Sequence, residues 1–333
     1  MERSLLNVPP LRIALLGDGR WAASSLTRLH DDGHNVVLVV VRRRPSDGTL
    51  AAAAAAAGAP VACPPGDEPA LAATLAEAAP DLLVSIAYDR ILRAASLQVP
   101  RLAAVNFHAG RLPQYRGRNV INWAIINGDR ELGLTAHLMD EGIDSGPIVR
   151  QTTLPIGWTD TYGDVLERVI AAMPDFVGET VASLADATAI PVTQDHDRAT
   201  YFGGRAAGDE WIDWAEPSER IHNKIRAISR PGPGARTWLD GEQVVIWRGH
   251  FDPQWPRYLA TPGQVVGRTA GGVLVKTGDS TLLVTEAERP EGAAGTPDWP
   301  IGARLGINLA ALVADLTERL DALTHTARSP VWE

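Results

Sequence analysis

Residues 11–41 read LRIALLGDGRWAASSLTRLHDDGHNVVLVVV. The apolar run 11–16 meets a turn at Gly17-Asp18-Gly19. A helix-like stretch follows over 21–30, Asp31-Asp32-Gly33 breaks it, and 36–41 is a second apolar run. Runs without polar alternation suit strands covered on both faces, as in a parallel sheet. The pattern continues downstream. Residues 51–57 are all alanine, the strongest helix former, and Gly58 with Pro60 ends the run. They read as a helix packed closely on the sheet, not as a linker. Residues 69–79 form a further helix candidate, and 81–86 (DLLVSI) and 103–107 (AAVNF) further buried strands. This alternation predicts an α/β fold built on a doubly wound parallel sheet.

Beyond that sheet, 119–127 reads as a helix and 134–139 as a strand. Residues 161–183 read as an amphipathic helix that Pro174 should break or kink into two pieces. The pattern changes after Tyr201-Phe202-Gly203-Gly204. Short strands over 243–247, 263–266, 272–276 and 281–285, spaced by turn residues, predict a small β-barrel of OB-like kind. The last stretch, 305–324, reads as an amphipathic helix whose apolar stripe caps the barrel. At 333 residues the chain exceeds one typical domain. The expected division is a catalytic domain over 1–203, a linker over 204–237 and a barrel domain over 238–333.

Apolar residues make up 45% and charged residues 21%, the balance of an ordinary folded protein large enough to need no staples. The net charge of −9 argues against a broad phosphate-binding surface, so nucleic acid is not the expected partner. The one basic run, Arg42-Arg43-Arg44, reads as a solvated strand end. Cys63 is the only cysteine, which excludes an internal disulfide and a cysteine-only metal site within one chain. It reads as an inert, half-buried thiol, and no metal is expected. The first ten residues lack the order of a secretion signal, and no run of about 18 apolar residues occurs, so the expected location is the cytoplasm, away from membranes.

Gly17-Asp18-Gly19 after a strand invites a dinucleotide-binding reading. The third glycine of that fingerprint falls on Ala22, and the acid expected at the end of the second strand is replaced by Arg42-Arg43-Arg44. A plain strand–turn–helix is the better reading, although the loop lies where crevices form in such sheets.

The chemistry is concentrated in residues 105–148, VNFHAGRLPQYRGRNVINWAIINGDRELGLTAHLMDEGIDSGPI. Asn106 and His108, one residue apart at a strand's end, point to the same side. Gly110, Pro113 and Gly117 make the following loop irregular, and Arg116 and Arg118 give it positive charge. Asp144 is bracketed by Gly142 and Gly146, which let the backbone approach a ligand. Acyl transfer to an amine passes through a tetrahedral species bearing an oxyanion. Asn106 can donate a hydrogen bond to it, as can a protonated His108, which Asp144 alongside would favour. The attacking amine must lose a proton to His108, Asp144 or a held water.

Asn106-Phe107-His108 with Leu112-Pro113-x-Tyr115-Arg116-Gly117, then Gly133-x-Thr135-x-His137-x-Met139-Asp140 and Gly142-Ile143-Asp144-Ser145-Gly146, resembles the 10-formyltetrahydrofolate-dependent formyltransferases. Their acceptors include methionyl-tRNA, glycinamide ribonucleotide and nucleotide-linked amino sugars. The resemblance covers most of residues 11–250. It implies that Asn106, His108 and Asp144 are the catalytic set. It implies too that Tyr88, Arg90, Ile91, Leu92, Met139, Asp140 and Ile143 hold the pterin of 10-formyltetrahydrofolate, largely by backbone contacts.

Asp213-Trp214, Ile221-His222-Asn223-Lys224-Ile225-Arg226-Ala227 and Arg230-Pro231-Gly232-Pro233-Gly234-Ala235 resemble the linker and barrel start of the tRNA enzymes and of the bacterial amino-arabinose enzyme. They argue against the single-domain glycinamide ribonucleotide branch. The tRNA enzymes carry a basic insertion after the second strand. Here only Pro45-Ser46-Asp47-Gly48 separates the arginines from the alanine helix, and a polyanion needs many basic contacts. The expected partner is therefore a small-molecule amine. First comes a nucleotide-linked amino sugar whose diphosphate meets Arg116, Arg118 and Asn119. A hydroxyornithine or other natural-product amine is next, and methionyl-tRNA is the remaining acceptor. Formate release to water, or a catalytically silent binding module, are the competing classes. Sugar-modifying relatives are often dimers, which makes a homodimer the expected assembly.

Overall fold

The computed structural model describes residues 10–63, 67–306, 313 and 316–320. The chain divides into two compact units, Met1–Ala206 and Ala207–Glu333.

The first unit begins with β1 (Arg12–Gly17), α1 (Gly19–Asp31), β2 (Asn35–Val41), α2 (Thr49–Ala56), β3 (Val61–Ala62) and α3 (Glu68–Ala78). It continues through β4 (Leu82–Ile86), α4 (Ala94–Leu97), β5 (Ala103–His108), β6 (Arg116–Gly117) and α5 (Val120–Ile126). Last come β7 (Glu131–Leu138), β8 (Ile148–Pro155), α6 (Tyr162–Ala185) and β9 (Tyr201–Phe202). The main sheet has seven strands in the order β3-β2-β1-β4-β5-β7-β8. β1 pairs in parallel with β2 on one side and β4 on the other, the reversal that defines double winding. β7 and β8 extend the sheet antiparallel. β8 has no apolar run to announce it, because its side chains are mostly exposed at the sheet edge.

Alternation along the strands puts Ala14 and Leu16 of β1, Leu38 and Val40 of β2, Leu83 of β4 and Ala104 of β5 in one core cluster. Leu71 and Leu75, one turn apart on α3, complete it together with Leu92 from the loop after β4. That loop is thus anchored by its own side chain in the core.

Two helices differ from the sequence expectation. α2 forms where the alanines predict it, but it buries only Leu50 and Ala54 and shows water most of its length. Propensity, not sheet packing, makes it a helix. α6 runs through Pro174 as a single helix of 24 residues instead of two pieces. Its stripe Val165, Val169, Met173, Val177 and Val181 is buried on both sides of the proline, and a capping box between Thr161 and Asp164 fixes its start. Continuous burial outweighs one missing backbone hydrogen bond.

The second unit contains α7 (Ser218–Ile228), β10 (Ala235–Leu239), β11 (Glu242–His250), β12 (Val265–Thr269), β13 (Gly272–Lys276) and β14 (Thr281–Glu288). α7 and the start of β10 fall within the stretch expected to be a linker. Ile221, Ile225 and Ile228 bury one stripe of α7, and Trp214 is buried with its Nε1 donating to Thr237 Oγ1 at 2.9 Å. The five strands form an antiparallel sheet ordered β10-β11-β14-β13-β12. Its two edge strands are bridged to one short segment, β10 through Leu239 to Leu305, and Gln264 beside β12 to Arg304, which curls the sheet towards a barrel. Of the terminal helix expected over 305–324, positions 313 and 316–320 are helical, and most of the remainder lies outside the described residues. Val313, Leu316 and Leu320 of its apolar stripe are exposed rather than capping the barrel. Among the described residues no helix is long and apolar enough to cross a membrane.

Leu75 is fully buried in the cluster that anchors the loop after β4. Leu75→Ala should destabilise the first unit by about 2–5 kcal/mol, read as a lowered midpoint in urea unfolding.

Candidate active site

Strand register builds most of the site. Asn106 and His108 share one face of β5. β7 lies antiparallel beside it, with His137 opposite Asn106 and Thr135 opposite His108. Opposed side chains in such a pair are in reach of each other, and Asn106 Nδ2 lies 3.2 Å from His137 Nε2. Asp144 comes in from the loop between β7 and β8. Its Oδ1 accepts from Asn106 Nδ2 at 3.3 Å and lies 3.4 Å from His137 Nε2, and its Oδ2 accepts from the Gly117 N–H at 2.8 Å. His108 Nδ1 stands 3.7 Å from Oδ2, a charge-pair separation rather than a hydrogen bond. The structure thus brings Asn106, His108 and Asp144 together. It adds His137, which the motif Gly133-x-Thr135-x-His137 contained but which carried no separate signal of a role.

Asp144 itself sits in the left-handed region, with φ of 50°. Two residues on, a side chain at Gly146 would collide with the carbonyl of Leu138, so only glycine lets this loop lie against β7. Burial pushes the Asp144 carboxyl up. The charge of His108, the hydrogen bonds from His137 and the Gly117 N–H, and the charge of His137 outweigh burial and hold it down at about 2.

His108 Nε2 meets the Tyr115 carbonyl at 2.6 Å. A carbonyl only accepts, so Nε2 carries a hydrogen and Nδ1 is the nitrogen left facing Asp144. Tyr115 is well secured for this task. Its hydroxyl donates to Asp129 and accepts from Asn127 Nδ2 at 3.0 Å, and its ring stacks on Phe202 at 4.9 Å. Burial, with Asp129 as acceptor, pushes this phenol up to about 12.

The two segments expected to hold folate are neighbours. Tyr88 and Met139 both pack on the core cluster, and the Ala94 N–H donates to Glu141 Oε1 at 3.2 Å. Leu92 is part of the core, so its side chain holds the loop rather than a ligand. Asp140 likewise serves its own loop, accepting from Ser145 Oγ at 2.7 Å and Gly142 N at 3.0 Å. Ile91 and Ile143 are large apolar side chains left exposed, one on each segment, and Arg90 is partly exposed. Adjoining loops that each expose an isoleucine suit the face of a flat heterocycle. A separate cavity of about 320 Å³, lined by Arg111, Tyr115, Asp129, Arg130 and Glu131 among others, touches none of these residues.

On the acceptor side the expectation needs one correction. Arg118 and Asn119 are exposed, but Arg116 is 1% exposed. Its guanidinium donates to Gln194 Oε1, Tyr201 Oη and His196 Nδ1 and is not available to a phosphate. The motif pattern shows an arginine in a glycine-rich loop, but not that β6 pairs with β9 and takes that side chain inwards. The first glycine loop is also accounted for. Asp18 is buried at the head of α1, where its carboxylate accepts from Ser46 N at 3.0 Å and pairs with Arg42 Nη1 at 3.2 Å. A fixed negative charge there opposes a pyrophosphate. Cys63 is exposed rather than half-buried.

Residues 11–178 match the formyl transferase family model, and 206–298 match that of the formyl transferase C-terminal domain. The chain belongs to the formyl transferase family. It is an enzyme that transfers a formyl group. Methionyl-tRNA formyltransferase of Synechococcus sp. (strain JA-2-3B'a(2-13)) is 37% identical over 230 residues, 67% of this chain and 70% of the relative. That of Pseudomonas fluorescens (strain SBW25) is 34% identical over 294 residues, 86% and 91%. Among solved structures, the N-formyltransferase from Helicobacter canadensis, in complex with folinic acid and dTDP-3-aminofucose, matches this formyltransferase with a TM-score of 0.67 at 20% identity. The match covers 84% of this chain and 100% of that one. A sugar 3N-formyl transferase solved with dTDP and 5-N-formyl-THF gives a TM-score of 0.67 at 19% identity, covering 85% and 99%. These two likenesses establish a shared fold.

The lowered carboxyl of Asp144 has a consequence for stability. A group depressed on folding adds stability above its unfolded value and loses it as pH falls through its folded value. The contribution of Asp144 should therefore vanish between about pH 4 and pH 2. Unfolding free energies of wild type and Asp144→Asn, measured across that window, should converge as the pH drops.

Proposed function

We propose that this enzyme moves the formyl group of 10-formyltetrahydrofolate onto the amine of a small acceptor, most simply a nucleotide-linked amino sugar. The observation that carries the chemistry is the convergence of Asn106, His108 and Asp144 within hydrogen-bond and charge-pair reach at the end of β5. The folate supplies the formyl carbon already activated. Tyr88, Arg90, Ile91, Met139 and Ile143 would hold it, with Leu92 and Asp140 shaping the two loops. Asn106 Nδ2 is the neutral donor for the oxygen that gains negative charge. His108 Nδ1 is the nitrogen free to give or take a proton, since Nε2 is fixed on Tyr115. Asp144, ionised at neutral pH, orients the Asn106 amide and faces His108 Nδ1 at 3.7 Å.

The choice of a small acceptor rests on charge. Arg230, Arg248 and Arg289 of the second unit are paired with Glu286, Glu288 or Glu242, so little of their charge is open to a polyphosphate. The segment between β2 and α2 adds only Arg43 and Arg44 as exposed cations. Arg118 and Asn119 are the residues assigned to the acceptor. A second reading, formylation of methionyl-tRNA, is favoured by the names of the sequence relatives.

Enzyme mixed with 10-formyltetrahydrofolate and a panel of nucleotide-linked amino sugars and amino acids should yield one sugar heavier by one formyl group. Formylated methionyl-tRNA with every sugar unchanged would assign the second reading, and formate release without an amine would assign a hydrolase. In the productive assay, Asn106→Ala should lower kcat about 10²–10³-fold. His108→Ala should cost at least about 10²-fold.

A further inference from the structure

Gln194 lies in the segment after α6, 50 residues from Asp144 in sequence, yet it is 5% exposed and joins two parts of the site. Its Nε2 donates to the carbonyls of Asp144 at 2.9 Å and Gly146 at 2.6 Å. Its Oε1 accepts from Arg116 Nη2 at 2.6 Å and Nε at 3.2 Å. The orientation of this amide is fixed, because the reverse would set its N–H groups against a guanidinium and its oxygen against two carbonyls.

Arg116 is buried, and its partners are neutral: Gln194, the Tyr201 hydroxyl at 2.7 Å and His196 Nδ1 at 3.1 Å. A buried cation is costly and is kept only where its hydrogens are satisfied. These partners take four of its five hydrogens, and they aim the guanidinium at an amide that holds the Asp144 loop. The same strand delivers a second restraint, since Gly117, next to Arg116, donates its N–H to Asp144 Oδ2 at 2.8 Å. The restrained residue is under strain. Asp144 has φ of 50°, in the left-handed region that favours glycine and that its surroundings must hold.

We propose that Arg116 and Gln194 form a buried clamp that holds Asp144 in its left-handed conformation and sets its carboxylate between His108 and Asn106. Both are positioning residues. Their side chains bond to one another, to Tyr201 and His196, and to the Asp144 and Gly146 carbonyls. The charge of Arg116 polarises the Gln194 amide and strengthens its grip on the two carbonyls. The proposal rests on formyl transfer at Asp144 but not on the identity of the acceptor.

Carbon-13 NMR of the Asp144 carboxyl in the free enzyme tests the clamp without any acceptor. The titratable groups facing that carboxyl are His108 and His137, and both remain in Gln194→Leu, Gln194→Glu and Arg116→Lys. In folded Gln194→Leu, the Asp144 midpoint should rise towards the ordinary carboxylate value, because the loop no longer holds Oδ2 on the Gly117 N–H. Formyl transfer should fall at least about tenfold in kcat, while KM for 10-formyltetrahydrofolate changes less than about threefold. Arg116→Lys, which keeps the charge but not the fork, should fall between wild type and Gln194→Leu. An unmoved midpoint in any folded variant of the three overturns the clamp, as does a loss of activity that only follows the folded fraction. If the wild type formylates nothing in the panel, the acceptor reading fails while the NMR titration still decides the clamp.

Discussion

The site depends on one buried negative charge. Asp144 is ionised although little of it meets water, and each neighbour is arranged to make that tolerable. A backbone N–H and the side chains of Asn106, His108 and His137 converge on its two oxygens. Take the charge away and these groups lose their common focus. The Asn106 amide would have no reason to present nitrogen rather than oxygen, and His108 would face a neutral group. The glycine-rich loop exists to deliver this carboxylate. Gly146 permits close contact with β7, and the strained backbone at Asp144 turns the side chain back towards β5.

Much of this was readable in the chain alone, for identifiable reasons. Buried parallel strands carry continuous apolar runs, so β1, β2, β4 and β5 stood out. Asn106 and His108 were legible because strand periodicity puts alternate residues on one face. β8 was invisible because an edge strand with exposed side chains has no apolar signature. α7 was hidden within the presumed linker, since its polar residues mask the stripe Ile221, Ile225, Ile228. Pro174 misled because local sterics predict a break, whereas packing over the whole length of α6 decides the outcome.

The site residues divide in the same way. Local pattern identified the groups that carry charge and donors, but not their partners from distant segments. His137 joins through cross-strand register, which requires knowing that β5 and β7 are neighbours. Gln194 had no signal of any kind, because a single glutamine in a loop looks like every other one. The role of Arg116 is hidden from sequence for a related reason. A basic residue in a glycine-rich loop suggests an anion, and only the pairing of β6 with β9 reveals that its charge is directed inwards. The formyl transferase family was legible from ordered motifs; the acceptor was not, because the exposed residues that would meet it follow no fixed spacing.

The second unit ends its sheet in an economical way. Both boundary strands lean on the same few atoms, with Leu305 beside β10 and Arg304 beside the start of β12. Their neighbours Gly302, Ala303 and Gly306 add backbone hydrogen bonds to Val265 and Trp238, so the segment stands in for a sixth strand. A chain shortened before Gly302 would uncover the border of β12 at Val265, whereas β10 would keep the cover of residues 210–212, which bond to Arg236. One short segment thus guards a border along which separate molecules could otherwise zip together.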